Sequence, residues 1–434
     1  MADAGLAPRA QEPIPERGEA RSGGATRWPN PVRLKLELLV RGVRLSRRLA
    51  REGLLAPLQS ARDLAGRDIE IVLPEGIVAR CPVGTRASKR SPFLLDADEA
   101  GARLIRDEGP PVPVRIATPP RFYRMTTRAG TPMWQVGTVH AGFISIDPAP
   151  ACGLAARGLG CAFCTLARGS ASDGSARPVD EVLEVVSAAF AEGAADFVYF
   201  NTGYYEAEDG GFRFLEPYIA AVRKYFDTLI AVQLHPPRDD RWIDRTYAAG
   251  ADAVSYSLEV FDAAALERFC RGRSELIGRE RYVQALARAA RIFPSGAVWS
   301  DLIVGLEPAE STRQAIDNLT SIGVLPVLSP FRPLEETPLR NHPAPEPDQL
   351  EPLYAYLYEK VREARINLQY LRDLGGAITP IEARFFAGDA AKLDVAASGL
   401  LRSKLGARAV RSLAALRRRL RVRRVSDSFD ASHL

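Results

Sequence analysis

An α/β fold on a parallel sheet is what this sequence predicts, and three observations predict it. From about Val136 onward, short apolar runs alternate with stretches of helical spacing; six such pairs fit before residue 345; and no pattern of disulfides or membrane spans competes with them. The candidate strands are 143–146, 197–201, 229–234, 253–258, 298–304 and 324–328. Between them, 178–193 opens on Pro178, a good first-turn residue, and sets Val182, Val186 and Ala189 on one face. The stretch 279–293 aligns Tyr282, Leu286, Ala289 and Phe293 and stops at Pro294. Alternation of this kind builds right-handed βαβ units. Six units fit a partial (βα)6 TIM-like barrel, open on one side, as well as a flat doubly wound sheet. Periodicity alone does not choose between them.

The flanks read differently. Residues 1–30 are polar, rich in Gly, Ala, Pro and charge, and read as a disordered N-terminus without an apolar signal region. From 32 to 58, apolar residues at helical spacing alternate with Arg and Lys, which predicts one basic amphipathic helix. The 68–82 stretch predicts a hairpin turning at Glu75-Gly76, and 112–117 adds another strand. The expected organisation is therefore a helix plus small β module over 31–135, a barrel over 136–345, and a helical extension over 346–434. That extension starts with a long helix over 346–372, marked by Leu353, Leu357, Val361 and Ile366, and ends in a basic tail.

At 434 residues and 46% hydrophobic content the chain exceeds one minimal domain and has material for a sizeable core. The net charge of +5 is unevenly placed: residues 395–424 hold ten Arg or Lys and no acid, and without those ten the balance turns from +5 to −5. The tract reads first as a solvated amphipathic helix; RNA contact is its minority reading, because no aromatic residues interleave it for base stacking. Five cysteines are too few for a disulfide framework, and no run of eighteen apolar residues occurs, so no transmembrane segment is expected. The expected compartment is a reducing cytoplasm.

Three of the cysteines fall within thirteen residues, directly after the first barrel strand: Cys152, Cys161 and Cys164, as C-x8-C-x2-C. Thiolates are soft ligands for iron–sulfur clusters and zinc. Three on one loop can hold three irons of a cubane and leave the fourth open. Glycines 153, 158 and 160 let the loop wrap tightly. The bland alternatives are three buried thiols, or a zinc site completed by His140 or His235. Position favours the cluster, since barrel active sites are built in the loops after the strands.

These residues resemble the radical S-adenosylmethionine (SAM) superfamily, whose motif is C-x3-C-x2-C with an aromatic residue before the last cysteine. Cys161-Ala162-Phe163-Cys164 matches the second half; the first gap is eight residues rather than three. The resemblance continues in order over about 140–340. Asn201-Thr202-Gly203 stands where relatives bind the SAM amino group. Ser257 and Glu259 share one strand face with Ser255, where relatives contact SAM. Val304-Gly305 matches the adenine-binding strand, and 326–333 is similar to the barrel ending of the biotin-synthase-like branch.

The resemblance implies a [4Fe–4S] cluster on Cys152, Cys161 and Cys164, with SAM on its open iron. Reductive cleavage of SAM then yields a 5′-deoxyadenosyl radical that takes hydrogen from a small-molecule substrate. It implies that Phe163 shields the cluster, that Tyr204, Tyr205, His235 and Arg332 are substrate-side candidates, and that a flavodoxin- or ferredoxin-type donor supplies the electron. Cys81 and Cys270 read as isolated thiols, so no auxiliary cluster is expected. Two alternatives accompany this reading: radical modification of RNA or protein docked by the basic tail, and a non-enzymatic zinc- or cluster-binding regulatory module.

Overall fold

The computed structural model describes residues 30–51, 68–107, 109–148, 151–165, 176–368, 371 and 374–388. Its N-terminal part comprises α1 (Pro31–Arg41), β1 (Arg44–Leu45), α2 (Arg47–Arg51), β2 (Asp68–Val72), β3 (Val78–Pro82), α3 (Arg86–Lys89), β4 (Phe93–Asp98), β5 (Gly101–Arg106) and β6 (Val112–Ile116). The strands pair in the order β1-β4-β5-β6-β2-β3, antiparallel throughout except β1 with β4. The expected hairpin forms, with Asp68 opposite Pro82 and Val72 opposite Val78. Glu75 (φ 62°) and Gly76 (φ 74°) make its turn in the left-handed region.

The helix expected over 32–58 does not run through. α1 starts well, because the Asn30 side chain accepts hydrogen bonds from the Val32 and Arg33 amides and Pro31 occupies the first turn. It ends at Arg41, where Gly42 turns at φ 67° and lies against β3. A Cβ there would come within 2.5 Å of the Pro82 carbonyl oxygen. Residues 52–58 of that expectation, and 1–29 of the expected disordered N-terminus, lie outside the described residues. Nor is α1 a surface helix: Val32, Leu34, Leu36, Leu38 and Leu39 are all buried, and so is Lys35.

The second sheet comprises β7 (Gly137–His140), β8 (Phe143–Ile146), β9 (Phe197–Asn201), β10 (Leu229–Gln233), β11 (Ala253–Ser255), β12 (Val298–Val304) and β13 (Leu325–Pro330). Its order is β13-β12-β11-β10-β9-β8-β7, and from β8 to β13 every pair is parallel and consecutive in sequence. A doubly wound sheet reverses its strand order at a switch point. This sheet never reverses, so right-handed crossovers put all its helices on one face and curl it into an open barrel. The edge strand β7, antiparallel to β8, was not expected from the sequence.

Among the described residues, eight α-helices lie among these strands: α4 (Gly153–Ala156), α5 (Val179–Ala191), α6 (Phe212–Tyr225), α7 (Arg241–Ala248), α8 (Ala263–Phe269), α9 (Arg271–Leu276), α10 (Arg279–Ile292) and α11 (Ala309–Ser321). α5 carries Asp180 and Glu181 in its first turn, where the helix dipole favours acids, and buries Val182, Val185, Val186 and Ala189. Strand alternation then separates two faces. On β12, Val298, Ser300, Leu302 and Val304 are buried toward the helices, while Trp299, Asp301 and Ile303 face the barrel and stay partly open.

After the barrel come α12 (Pro347–Glu363) and α13 (Pro380–Ala383). The helix expected over 346–372 ends earlier, at Glu363, and Arg365 turns at φ 52°. α12 packs on α11 and on α1. α13 opens with a capping box between Thr379 and Glu382, and the buried Lys35 ammonium pairs with Glu382 at 2.7 Å. The basic tract at 395–424 lies outside the described residues. No described helix is long and apolar enough to cross a membrane.

Candidate active site

The cysteine loop leaves the C-terminal end of β8 and lies over the mouth of the barrel. Cys152 is tied to the end of β9: the Gly153 amide donates to the Tyr204 carbonyl (2.9 Å), and the Tyr204 amide donates to the Cys152 sulfur (3.4 Å). Gly203 is what permits that approach, since a Cβ there would lie 2.7 Å from Cys152 Cα. Cys161 and Cys164 rest on a different support. The Ala162 amide donates to the Phe269 carbonyl (2.8 Å) and the Gly272 amide to the Leu159 carbonyl (3.2 Å), which laces the loop to the junction of α8 and α9. Phe163 is half-buried and packs with the apolar cluster formed there by Leu266 and Phe269.

That junction carries residues the sequence reading missed. Cys270, expected to be isolated, is fully buried and donates a hydrogen bond to Cys161. This bond, and after it the Arg273 guanidinium, lower the Cys161 thiol against the opposing effect of burial, whereas Cys270 is held well above its ordinary range. Arg273 is itself buried. One nitrogen donates to the Ser257 carbonyl and the other reaches Glu259 at 3.2 Å. Burial pushes the Glu259 carboxyl up to about 7 despite that arginine. Glu259 also adopts φ 69°, a left-handed conformation that non-glycine residues hold only where their surroundings enforce it.

Among the described residues no three His, Cys, Asp or Glu side chains converge as the ligands of one metal ion do. A cubane makes a different demand, because its three thiolates bind three separate irons and need not meet at a point. The donor set here is three soft thiols on one glycine-bearing loop, with a buried guanidinium against one of them. That chemistry fits an anionic iron–sulfur cluster.

The other expected site residues divide into groups. Asn201 ends β9 half-buried, and the Thr202 amide donates to the Gln233 carbonyl (3.3 Å), so the strand end borders the mouth. The strand expected over 253–258 stops at Ser255, so contacts rather than strand alternation place the next two: Ser257 reaches Asp301 (2.7 Å) and Glu259 is held by Arg273 (3.2 Å). Val304 points its side chain outward, fully buried, and Gly305 (φ 102°) approaches Pro345 so closely that a Cβ would meet it at 2.7 Å. Tyr204 packs edge-on to His235 at 5.5 Å, and His235 bonds the Tyr282 hydroxyl at 2.8 Å. Tyr205 stacks on Phe214, centroids 4.8 Å apart. Arg332 pairs with Asp68 of β2 at 3.0 Å, joining the barrel to the N-terminal sheet.

Deeper in the barrel runs a polar chain. The Tyr199 hydroxyl donates to Gln233 Oε1, Gln233 Nε2 to the Ser257 hydroxyl (3.0 Å), and the Ser257 hydroxyl to Asp301 (2.7 Å). The signal for it was present in Trp299-Ser300-Asp301-Leu302, where an acid shares a strand phase with a tryptophan.

No protein-family model matches the chain. Over 141 residues it is 26% identical to bacteriochlorophyllide c C-7(1)-hydroxylase of Chlorobaculum limnaeum, a match covering 32% of this chain and 34% of that one. The chain thus spans about a third of the relative's length. Among solved structures it is similar to methylornithine synthase (TM-score 0.40, 14% identity, 51% of this chain and 64% of that one). It is also similar to a radical SAM methyltransferase from Sphaerobacter thermophilus (TM-score 0.40, 13% identity, 66% of this chain and 81% of that one). With the 141-residue match beside them, the thiol loop above the first parallel strand and the sheet that never reverses are the features in which this chain resembles the radical SAM superfamily, whose members use a [4Fe–4S] cluster and SAM.

Proposed function

We propose that this chain acts on a small molecule, with Cys152, Cys161 and Cys164 ligating three irons of a [4Fe–4S] cluster and the fourth iron left to SAM. When bound, the pair supplies a 5′-deoxyadenosyl radical by one-electron cleavage of SAM, at the cost of an electron from a flavodoxin- or ferredoxin-type donor in a reducing cytoplasm. Cys270 and Arg273 favour the thiolate form of Cys161, the form that binds metal. Arg273 offsets negative charge beside that ligand. The strand-end backbone at Asn201, Thr202 and Gly203 would receive the SAM ammonium, with Ser257 and Glu259 facing the same space. The backbone of Val304 and Gly305 would flank adenine, and Phe163 would shield the cluster from water. Of the substrate-side candidates, Tyr204 borders the mouth directly; Tyr205, His235 and Arg332 act through their partners Phe214, Tyr282 and Asp68.

One observation carries this reading: the loop bearing all three cysteines is fixed over the barrel mouth, by β9 on one side and the α8–α9 junction on the other. Anaerobic reconstitution of the full chain tests it. We expect four irons and four sulfides, broad visible absorbance, and 5′-deoxyadenosine on reduction with SAM; each Cys→Ser substitution should abolish the nucleoside. Stoichiometric zinc without SAM cleavage would overturn it in favour of a regulatory module.

A further inference from the structure

On the inward face of the barrel, Asp301 has no ion pair of its own among the described residues: the Arg273 charge acts on it only from a distance, because that guanidinium is held by Glu259. Asp301 sits mid-strand in β12 and accepts from the Ser257 hydroxyl (2.7 Å) and the Trp299 side chain, both neutral donors. No ion pair reaches it among the described residues, whereas its neighbour Glu259 pairs with Arg273. The chain of donors from Tyr199 through Gln233 and Ser257 ends on Asp301, whose carboxyl burial raises above its ordinary range, so that a cation beside it would favour the charged form. A carboxylate removed from bulk water in this way is stabilised by a positive partner.

The walls beside it are aromatic. Tyr199 and Trp299 lie 6.1 Å apart, and Phe143 meets Tyr199 edge-on at 5.8 Å. Tyr199, Trp299 and Asp301 remain partly open, although the alternating residues Val198, Phe200, Ser300 and Leu302 are essentially fully buried. These inward side chains are therefore not sealed from solvent as the outward ones are. Aromatic faces attract cations and bind flat or apolar groups. Tyr199 precedes Asn201 by two residues and Asp301 precedes Val304 by three, so this chamber lies about 7–10 Å beneath those strand ends, at ~3.3 Å per residue, and Ser257, which bonds Asp301, borders both it and the space proposed for SAM.

We propose that the barrel interior takes its substrate as a cationic amine on an aromatic or apolar body, with Asp301 as counter-ion and Tyr199 and Trp299 as walls. The role of this ligand as substrate rests on the radical SAM reading; its binding does not. Calorimetry on the full chain, reconstituted and unreconstituted, compares tryptamine with indole-3-propionate, which carries an acid on the same ring system. Tryptamine should bind at least about tenfold more tightly, in the presence of saturating SAM as in its absence. Asp301→Asn should remove that preference and leave indole-3-propionate unaffected or tighter. Equal binding of the two probes, displacement of tryptamine by SAM, or an unchanged preference in Asp301→Asn would each overturn the proposal. The amine-over-acid comparison on the unsubstituted protein decides even if Asp301→Asn does not fold. A preserved preference in a chain that forms no cluster and cleaves no SAM would remove the radical reading and leave this site standing.

Discussion

A Cβ at Gly203 would lie 2.7 Å from both Cα and Cβ of Cys152 and 2.8 Å from the Ala151 carbonyl oxygen. Two of these three atoms are main-chain, so no side-chain rotation relieves the clash. Gly203→Ala should therefore shift the Cys152 loop at a cost of about 1–3 kcal/mol, typical of overpacking, and reconstituted protein should hold less than half the iron of the parent by colorimetric assay. A second residue-scale expectation concerns acid. Burial, and then the Arg80 charge near His140 and the Arg273 charge near His235, hold both imidazoles well below their ordinary 6.5. Below pH 6.5 the unfolded chain binds protons at these sites that the folded chain refuses. The stabilisation is complete above 6.5 and is lost as pH falls, by up to about 1.4 kcal/mol per pH unit for each histidine. Only four histidines exist in the chain, so His235→Gln should visibly flatten the fall in Tm between pH 7 and 5.5.

Among the elements, those with a strong local period were legible in the sequence. β9 and β12 announce themselves as short runs rich in apolar residues, and α5 and α10 by a 3.6-residue apolar face between Pro and Gly stops. What escaped was set by tertiary contact. Gly42 ends α1 because Pro82 leaves no room for a side chain, which nothing near residue 42 reveals. Cys270 and Arg273 reach the cysteine loop only because α8 and α9 fold back beneath it, so a thiol that looked solitary became a partner of Cys161. The three cysteines could be singled out by their spacing together with their place after a strand; Asp301 gave a fainter signal, an acid in phase with Trp299, that acquires meaning only once β12 has an inward face. Buried Lys35 was equally silent. It joins α1 to α13 through Glu382 at 2.7 Å and also donates to the Leu374 carbonyl at 2.6 Å. Lys35→Met strands the Glu382 carboxylate and should destabilise the chain by about 3–5 kcal/mol. The Lys35→Met/Glu382→Leu pair should recover most of the lost Tm.

Across the whole molecule, one continuous apolar core runs from Val32 to Ala383. α1 sits at its centre in both sequence-distant senses, touching β3 of the first sheet, β13 of the barrel and α12 of the extension. Asp68 adds a polar tie, since it bonds Arg332 at 3.0 Å and lies 3.7 Å from Arg80. The hairpin of β2 and β3 sets its charged face, Asp68, Glu70 and Arg80, beside His140 on the barrel's edge strand β7, around a shared cavity of about 610 Å³. An open barrel has two unpaired edges, and exposed edges invite association with other chains. Residues 31–135 thus complete the barrel's core rather than decorate it. A chain starting at residue 136 would expose the apolar surface that Leu34, Leu36, Leu38 and Leu39 now cover. At about 1.5–3 kcal/mol per buried aliphatic side chain, four of them amount to about 6–12 kcal/mol, comparable with the 5–15 kcal/mol by which domains are stable. The truncated chain should therefore aggregate or elute in the void volume on size exclusion, with no cooperative melting transition. A monomeric truncation that melts cooperatively and still assembles a cluster would show that the barrel carries its own core.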